Sequence, residues 1–148
     1  MPRISKKITG YKVKDTETPP PPQPQLLHED LPRPEWLVGS TYKIKGGSSP
    51  HALYVTVNDM QIEDKRIPYE VFINSKDMAH FQWVSCLTRL ISALFRKGGN
   101  IDFIIDEMKA VVDPKGGYFR KGTFVPSDVA AIGLVLEQHL LALDKRPC

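Results

Sequence analysis

From Gly39 onward, apolar and polar residues alternate in short runs. Tyr42 and Ile44 stand between Thr41, Lys43 and Lys45, the two-residue period of a half-buried strand. The turn cluster GGSSPH follows. Leu53, Val55 and Val57 then alternate with Ala52, Tyr54 and Thr56 in a second strand that ends at Asn58-Asp59. A charged loop, Glu63 to Arg66, separates it from a third, where Tyr69, Val71 and Ile73 alternate with Glu70, Phe72 and Asn74. Three short strands with short connections predict an antiparallel meander. Its single apolar face needs a cover.

The period then changes to that of a helix. Phe81, Val84, Leu87, Leu90, Ile91, Leu94 and Phe95 recur at helical spacing, and Gly98-Gly99 stops the run. Phe81 and Trp83 are read as core. Asn100 suits the N-cap of a second helix with the stripe Ile101, Ile104, Ile105, Met108, Val111 and Val112. Asp113-Pro114 ends it, since a residue before proline avoids the helical region. Tyr118, Phe119, Phe124 and Val125 flank lysines and Gly122, as in a loop or small hairpin. Ser127 caps a third helix with the stripe Val129, Ile132, Gly133, Leu136, Leu140 and Leu143, where Gly133 allows a close helix contact. The prediction is an α+β fold: a three-stranded antiparallel meander packed on one face by three helices, with an extended Pro-rich N-terminal arm.

That arm adds no regular pattern of its own. Ile8 to Val13 reads as one short strand or clip, and TETPPPPQPQ favours an extended polyproline spacer. A plain linker is preferred to a proline-rich ligand for a recognition domain. The chain therefore divides into residues 1–36, a flexible arm and linker, and residues 37–148, the folded domain. With 148 residues, the chain can bury roughly two-thirds of its unfolded surface. A net charge of +3 is far weaker than the footprint of a dedicated nucleic-acid binder. No apolar stretch follows the basic start MPRISKKITG, and none approaches the ~20 residues of a membrane span. A soluble, cytoplasmic protein with no membrane partner is expected.

Candidate chemistry is sparse. Cys86 and Cys148 form no paired motif, and His28, His51, His80 and His139 are scattered singly, so no metal site is predicted. Cys86 reads as a small buried hydrophobe. Asp102 and Asp106 share a helix face, whose simplest reading is a solvated surface. No serine or cysteine has an evident base, so no catalytic residue is assigned. In the loop after Asp113, Lys115, Gly116 and Gly117 are candidates for binding an anion through backbone amides, although a helix stop and turn is the simpler reading. Arg89 and Arg96 on the first helix are candidates for binding a partner. So are Tyr118, Phe119, Arg120, Lys121 and Phe124, where exposed aromatics beside cations would make anchors.

Together, GSTYKIK, ALYVTVND, VFINSK, the helix W-x-x-x-L-T-R-L-I-S-A-L-F-R-K-G-G, MKAVVDPKGGYF and VPSDVAAIG-x-VLE-x-H closely resemble the TSCPD module near the C-terminus of adenosylcobalamin-dependent (class II) ribonucleotide reductases. RISKKITGYKV is similar to a segment preceding that module. The resemblance implies ribonucleotide reduction, in which a cobalamin-generated thiyl radical abstracts hydrogen from the substrate ribose. None of the catalytic cysteines, the glutamate or the cobalamin-binding elements of such a barrel occurs here. The chain starts with Met1 and stops at Arg146-Pro147-Cys148, about where the relatives' cysteine-rich tail begins. It thus looks like the small separate subunit of a split enzyme. The expectation is an accessory, non-catalytic component, inactive alone, that binds no cofactor and docks on the catalytic subunit, where adenosylcobalamin resides. A nucleic-acid or nucleotide-binding module and a free-standing regulator or inhibitor of the reductase are the alternatives.

Overall fold

Residues 31–47 and 49–144 are described by the structure, a computed structural model. The expected strand or clip at Ile8–Val13, the TETPPPPQPQ spacer and Cys148 lie outside the described residues. Strands β1 (Val38–Ile44), β2 (Leu53–Ile62) and β3 (Lys65–Ser75) form an antiparallel sheet in the order β1-β2-β3. Tyr42, Val55 and Ile73 lie opposite one another in the register, as do Thr41, Thr56 and Phe72 on the other face. Because side chains alternate along a strand, Ile44, Val55, Val57, Val71 and Ile73 all turn to one face and are buried. On the opposite face the Thr41 and Thr56 hydroxyls hydrogen-bond at 2.9 Å.

The meander is as predicted, but its second hairpin is longer than the alternation suggests. Ile62 pairs with Lys65, so only Glu63 and Asp64 form the turn, and the expected charged loop is mostly strand. A bulge explains the difference. Asn58 faces Glu70 while Asp59 faces Pro68, leaving Tyr69 as the extra residue. Pro68 has no N–H to offer the ladder, which suits such an irregularity. The phase slip buries Asp59 and Met60 in succession, and the alternation disappears at the point where the sequence reading ends the strand.

Helix α1 (Phe81–Lys97) lies along β3, the strand at one edge of the sheet. Ile91 and Phe95 are buried, with Val84 and Leu87 packed against the same core. Neighbouring helix residues are about 100° apart, so Trp83, Cys86 and Leu90, each next to a core position, face solvent. Trp83 is 72% exposed, and Phe81, in the first turn ahead of the stripe, is exposed too. The core reading of Phe81 and Trp83 is thereby corrected, as is the burial of Cys86. Ser92, buried on α1, accepts a hydrogen bond from the Val71 amide at 2.9 Å, and its hydroxyl lies 3.3 Å from the Val71 carbonyl as donor. Gly98 ends the helix at φ 75°, its N–H bonded to the Phe95 carbonyl at 3.1 Å.

Helix α2 (Asp102–Ala110) packs on α3 (Asp128–Asp144), which itself touches all three strands. The N-cap of α2 is Ile101 rather than the expected Asn100, which stands one residue ahead of it and accepts the Asp102 amide on its side-chain oxygen at 2.6 Å. Gly133 allows the predicted close approach: a Cβ there would stand 3.1 Å from the Met108 Cβ. Ser127 caps α3 by accepting the Ala130 amide at 3.0 Å, and its hydroxyl donates to the Val111 carbonyl at 2.7 Å. That bond holds Val111 in an extended conformation, so α2 stops early, and Val111 and Val112 are exposed rather than part of its stripe. The aromatic loop before Ser127 is a hairpin of β4 (Tyr118–Arg120) and β5 (Thr123–Val125). Lys121 and Gly122 take φ 50° and 82° at its tip, as a two-residue hairpin turn requires.

Candidate functional site

The hairpin carries the aromatic candidates. Phe119 is 76% exposed and Phe124 is 55% exposed. Their rings meet edge-to-face, with centroids 5.6 Å apart, a favourable arrangement for an aromatic pair. Exposed Lys121 lies at the tip, while Arg120 is turned back to donate to the Lys43 carbonyl at 3.2 Å. Tyr118 differs from the expected exposed anchor. It is half-buried, and its hydroxyl donates to Asp128 Oδ1 at 3.2 Å. Burial, with the Asp128 charge second, pushes its phenol up to about 12. Tyr118 thus fastens the hairpin to the start of α3 and leaves the two phenylalanines as the outward pair.

The neighbouring loop is closed on itself. Asp113 accepts the Lys115 amide on Oδ1 at 2.8 Å and the Gly116 amide on its carbonyl at 2.9 Å. Gly117 has backbone and the Phe124 ring against it, with a Cβ there meeting the Val125 carbonyl and the Phe124 ring. Two of the amides considered for an anion are therefore engaged by Asp113. The loop behaves as a turn that seats the hairpin.

Arg89 and Arg96 lie elsewhere. They line a groove of about 470 Å³ between α1 and β3, together with Glu70, Phe72, Thr88 and Leu90. Glu70 is buried in that groove and takes bonds from Arg33 Nε at 3.1 Å, Arg33 Nη2 at 2.9 Å and Asn58 at 3.0 Å. The Arg33 hydrogen bond, above all, holds its carboxyl below the usual range, with Asn58 and the Arg96 charge adding to the effect. The hairpin leans on β1 through Arg120, whereas the arginine groove follows β3. The structure therefore places the two halves of the expected partner surface at opposite edges of the sheet.

Two features escape the sequence reading. One is a buried polar chain from β1 to β3. The Tyr42 hydroxyl meets His139 Nδ1 at 2.9 Å, His139 Nε2 meets Asp59 Oδ1 at 2.7 Å, and Asp59 Oδ2 accepts from Arg66 at 2.6 Å. Asp59 thus bonds a cation on one oxygen and the imidazole on the other, and the two ring nitrogens of His139 bridge it to the Tyr42 hydroxyl. His139 follows Leu136 by three and Ile132 by seven residues, which puts it on the apolar stripe of α3. That placement was the available signal. The second feature is a cleft of about 420 Å³, walled by Leu53, Trp83, Val84, Leu87, Val111 and Ile132. Among the described residues, no group of histidines, cysteines and carboxylates could hold a metal ion, and no helix is long and apolar enough to cross a membrane.

The model of the TSCPD domain matches residues 16–140, which include every described strand and most of α3. The chain belongs to the TSCPD domain family. Comparison with curated proteins and with solved structures finds no match to this chain. The family is associated with ribonucleotide reductase-related proteins, as the sequence motifs imply. In this TSCPD domain the matched span includes the hairpin, the arginine groove and the cleft.

Proposed function

We propose that this chain is an accessory, non-catalytic component of a class II, adenosylcobalamin-dependent ribonucleotide reductase, and that it works by docking on the catalytic chain. The observation that carries the reading is the Phe119–Phe124 pair, which faces solvent from a hairpin fixed at both ends. Leaving two aromatic rings in water is unfavourable, and rigid aromatic anchors account for much of the energy of protein interfaces. Here the anchors are already held in place: Tyr118 ties one end of the hairpin to Asp128, and Arg120 ties the other to Lys43. Little conformational entropy remains to be lost on binding. Adenosylcobalamin and the radical chemistry belong to the catalytic chain in this reading; this chain supplies a surface.

The test is co-purification with the class II catalytic chain encoded in the same genome, with deoxynucleotide formation as a second readout. Phe119→Ser with Lys121→Glu changes only exposed residues, so it should leave the fold intact and weaken capture at least tenfold. A rise in turnover on adding the chain marks a helper, and a fall marks an inhibitor. Capture that survives the double change, or no capture at all, overturns the reading. Tight binding to single-stranded nucleic acid with a steep salt dependence would favour the nucleic-acid alternative instead.

A further inference from the structure

The cleft between α1 and the α2–α3 pair is a concave apolar surface that the hairpin reading leaves unused. Its walls include three residues that face water, Trp83, Val111 and Val112. Met78 and Phe81, beside its rim residues in sequence, are also exposed. The cleft therefore offers apolar surface open to a partner chain.

The charge around the cleft is one-sided. Among the described residues, Asp77, Asp113 and Asp128 line it, with His51 and His80 as the other titratable side chains and no lysine or arginine. This occurs in a chain whose net charge is +3. Each carboxylate is held in place. Asp77 accepts the Ala79 amide at 2.9 Å, Asp113 the Lys115 amide at 2.8 Å, and Asp128 the Tyr118 hydroxyl at 3.2 Å. The Ala79 amide, with Ser49 second, holds the Asp77 carboxyl below its ordinary value, so it carries charge at neutral pH. Trp83, 72% exposed in the same wall, offers a ring face on which a cation can rest.

We infer that this cleft binds an extended protein segment that places apolar side chains against Trp83, Val111 and Val112 and a lysine or arginine among Asp77, Asp113 and Asp128. The inference rests on the accessory reading for the identity of the partner, a segment of the catalytic chain. It does not rest on that reading for the chemistry of the segment. The cleft and the hairpin meet at Asp128, which lines the first and anchors Tyr118 of the second. One partner can thus reach both.

The experiment uses the full chain and two probes. The first is a phage-displayed library of random twelve-residue peptides. The second is an array of overlapping peptides covering the catalytic chain. Selected library sequences should combine apolar residues with an adjacent lysine or arginine. Their affinity should fall at least tenfold in Trp83→Ala and in Asp77→Asn with Asp113→Asn, but not in Phe119→Ser. Circular dichroism should show each variant folded; these residues are exposed or keep their hydrogen-bonding capacity.

On the array, the same rule should pick out one or two segments. A selective library with a blank array sinks the partner assignment while the cleft chemistry stands, and the accessory reading is then decided by the co-purification. Acidic or charge-free selected sequences, or variants that bind as well as the parent, overturn the cleft inference itself. Two further results would overturn the assignment to a partner. If binding appears only after residues 1–14 are deleted, the occupant is this chain's own basic start. If a concentration-dependent dimer is lost with Asp77→Asn and Asp113→Asn, the occupant is a second copy.

Discussion

Asp59 shows how much a single buried side chain can hold. It is fully buried, and it bonds at once to His139 at 2.7 Å and Arg66 at 2.6 Å. Asp59→Ala removes the acceptor of both and leaves a buried imidazole and a part-buried guanidinium without it. Breaking a buried ionic network from one side costs about 3–5 kcal/mol, and chemical denaturation should show a loss of that order. A loss under about 0.5 kcal/mol, the range of surface changes, would mean that water reaches the site. Tyr118 gives a sharper signature. Its phenol is held up near 12, above its ordinary value, by burial and by Asp128. A raised value means that its stabilising contribution is complete below pH ~10 and fades as pH climbs toward 12. Tyr118→Phe should therefore flatten the alkaline fall in melting temperature, and an unchanged alkaline limb would argue against the Tyr118–Asp128 contact.

The elements were legible in proportion to how regular they are. Alternation located the three strands, and Gly98-Gly99 and Ser127 marked the end of α1 and the start of α3, because those signals are local; Pro114 overran the end of α2. What was hidden depended on tertiary context. The bulge at Tyr69 on β3 shifted the β2–β3 register and disguised the second half of the hairpin. Trp83 looked like core because large aromatics usually are, yet α1 offers the sheet only the narrow stripe of Val84, Leu87, Ile91 and Phe95. The candidate surface was legible as residue types but not as a place: the Arg89–Arg96 pair and the hairpin both read as partner candidates, and they lie at opposite sheet edges. The cleft carried no sequence signal, since its lining comes from stretches as distant as Gly46 and Ile132. The stripe of α1 is open to test. Ile91→Ala empties a site only 2% exposed and should cost about 2–5 kcal/mol; a near-neutral result would mean that the helix is rotated.

Across the whole molecule, the described residues ahead of β1 include a long-range ion pair to the sheet. Arg33 reaches across to Glu70 on β3, whose carboxyl it holds below the usual range. A depressed carboxyl stabilises the fold fully above its unfolded value of about 4.3, and the contribution is lost as pH falls through the lower folded value. Arg33→Ala should lower the melting temperature at pH 7, and the gap to the parent should close as pH drops toward 3. A gap that stays constant with pH would show that Arg33 acts by packing alone.

The bond between Ser92 and Val71 bears on how this chain survives its own synthesis. A strand at the margin of a sheet exposes amides and carbonyls that will zip to any extended chain nearby. In β3, one hydroxyl from α1 occupies both groups of Val71, taking the place of a neighbouring strand. The protection exists only once the helix has docked. During synthesis, β3 emerges before the helix that shields it, so refolding yield should turn on a race between helix docking and encounter with another molecule. Ser92→Ala handicaps the first runner: soluble yield should fall steeply with protein concentration, even where the folded product loses little stability.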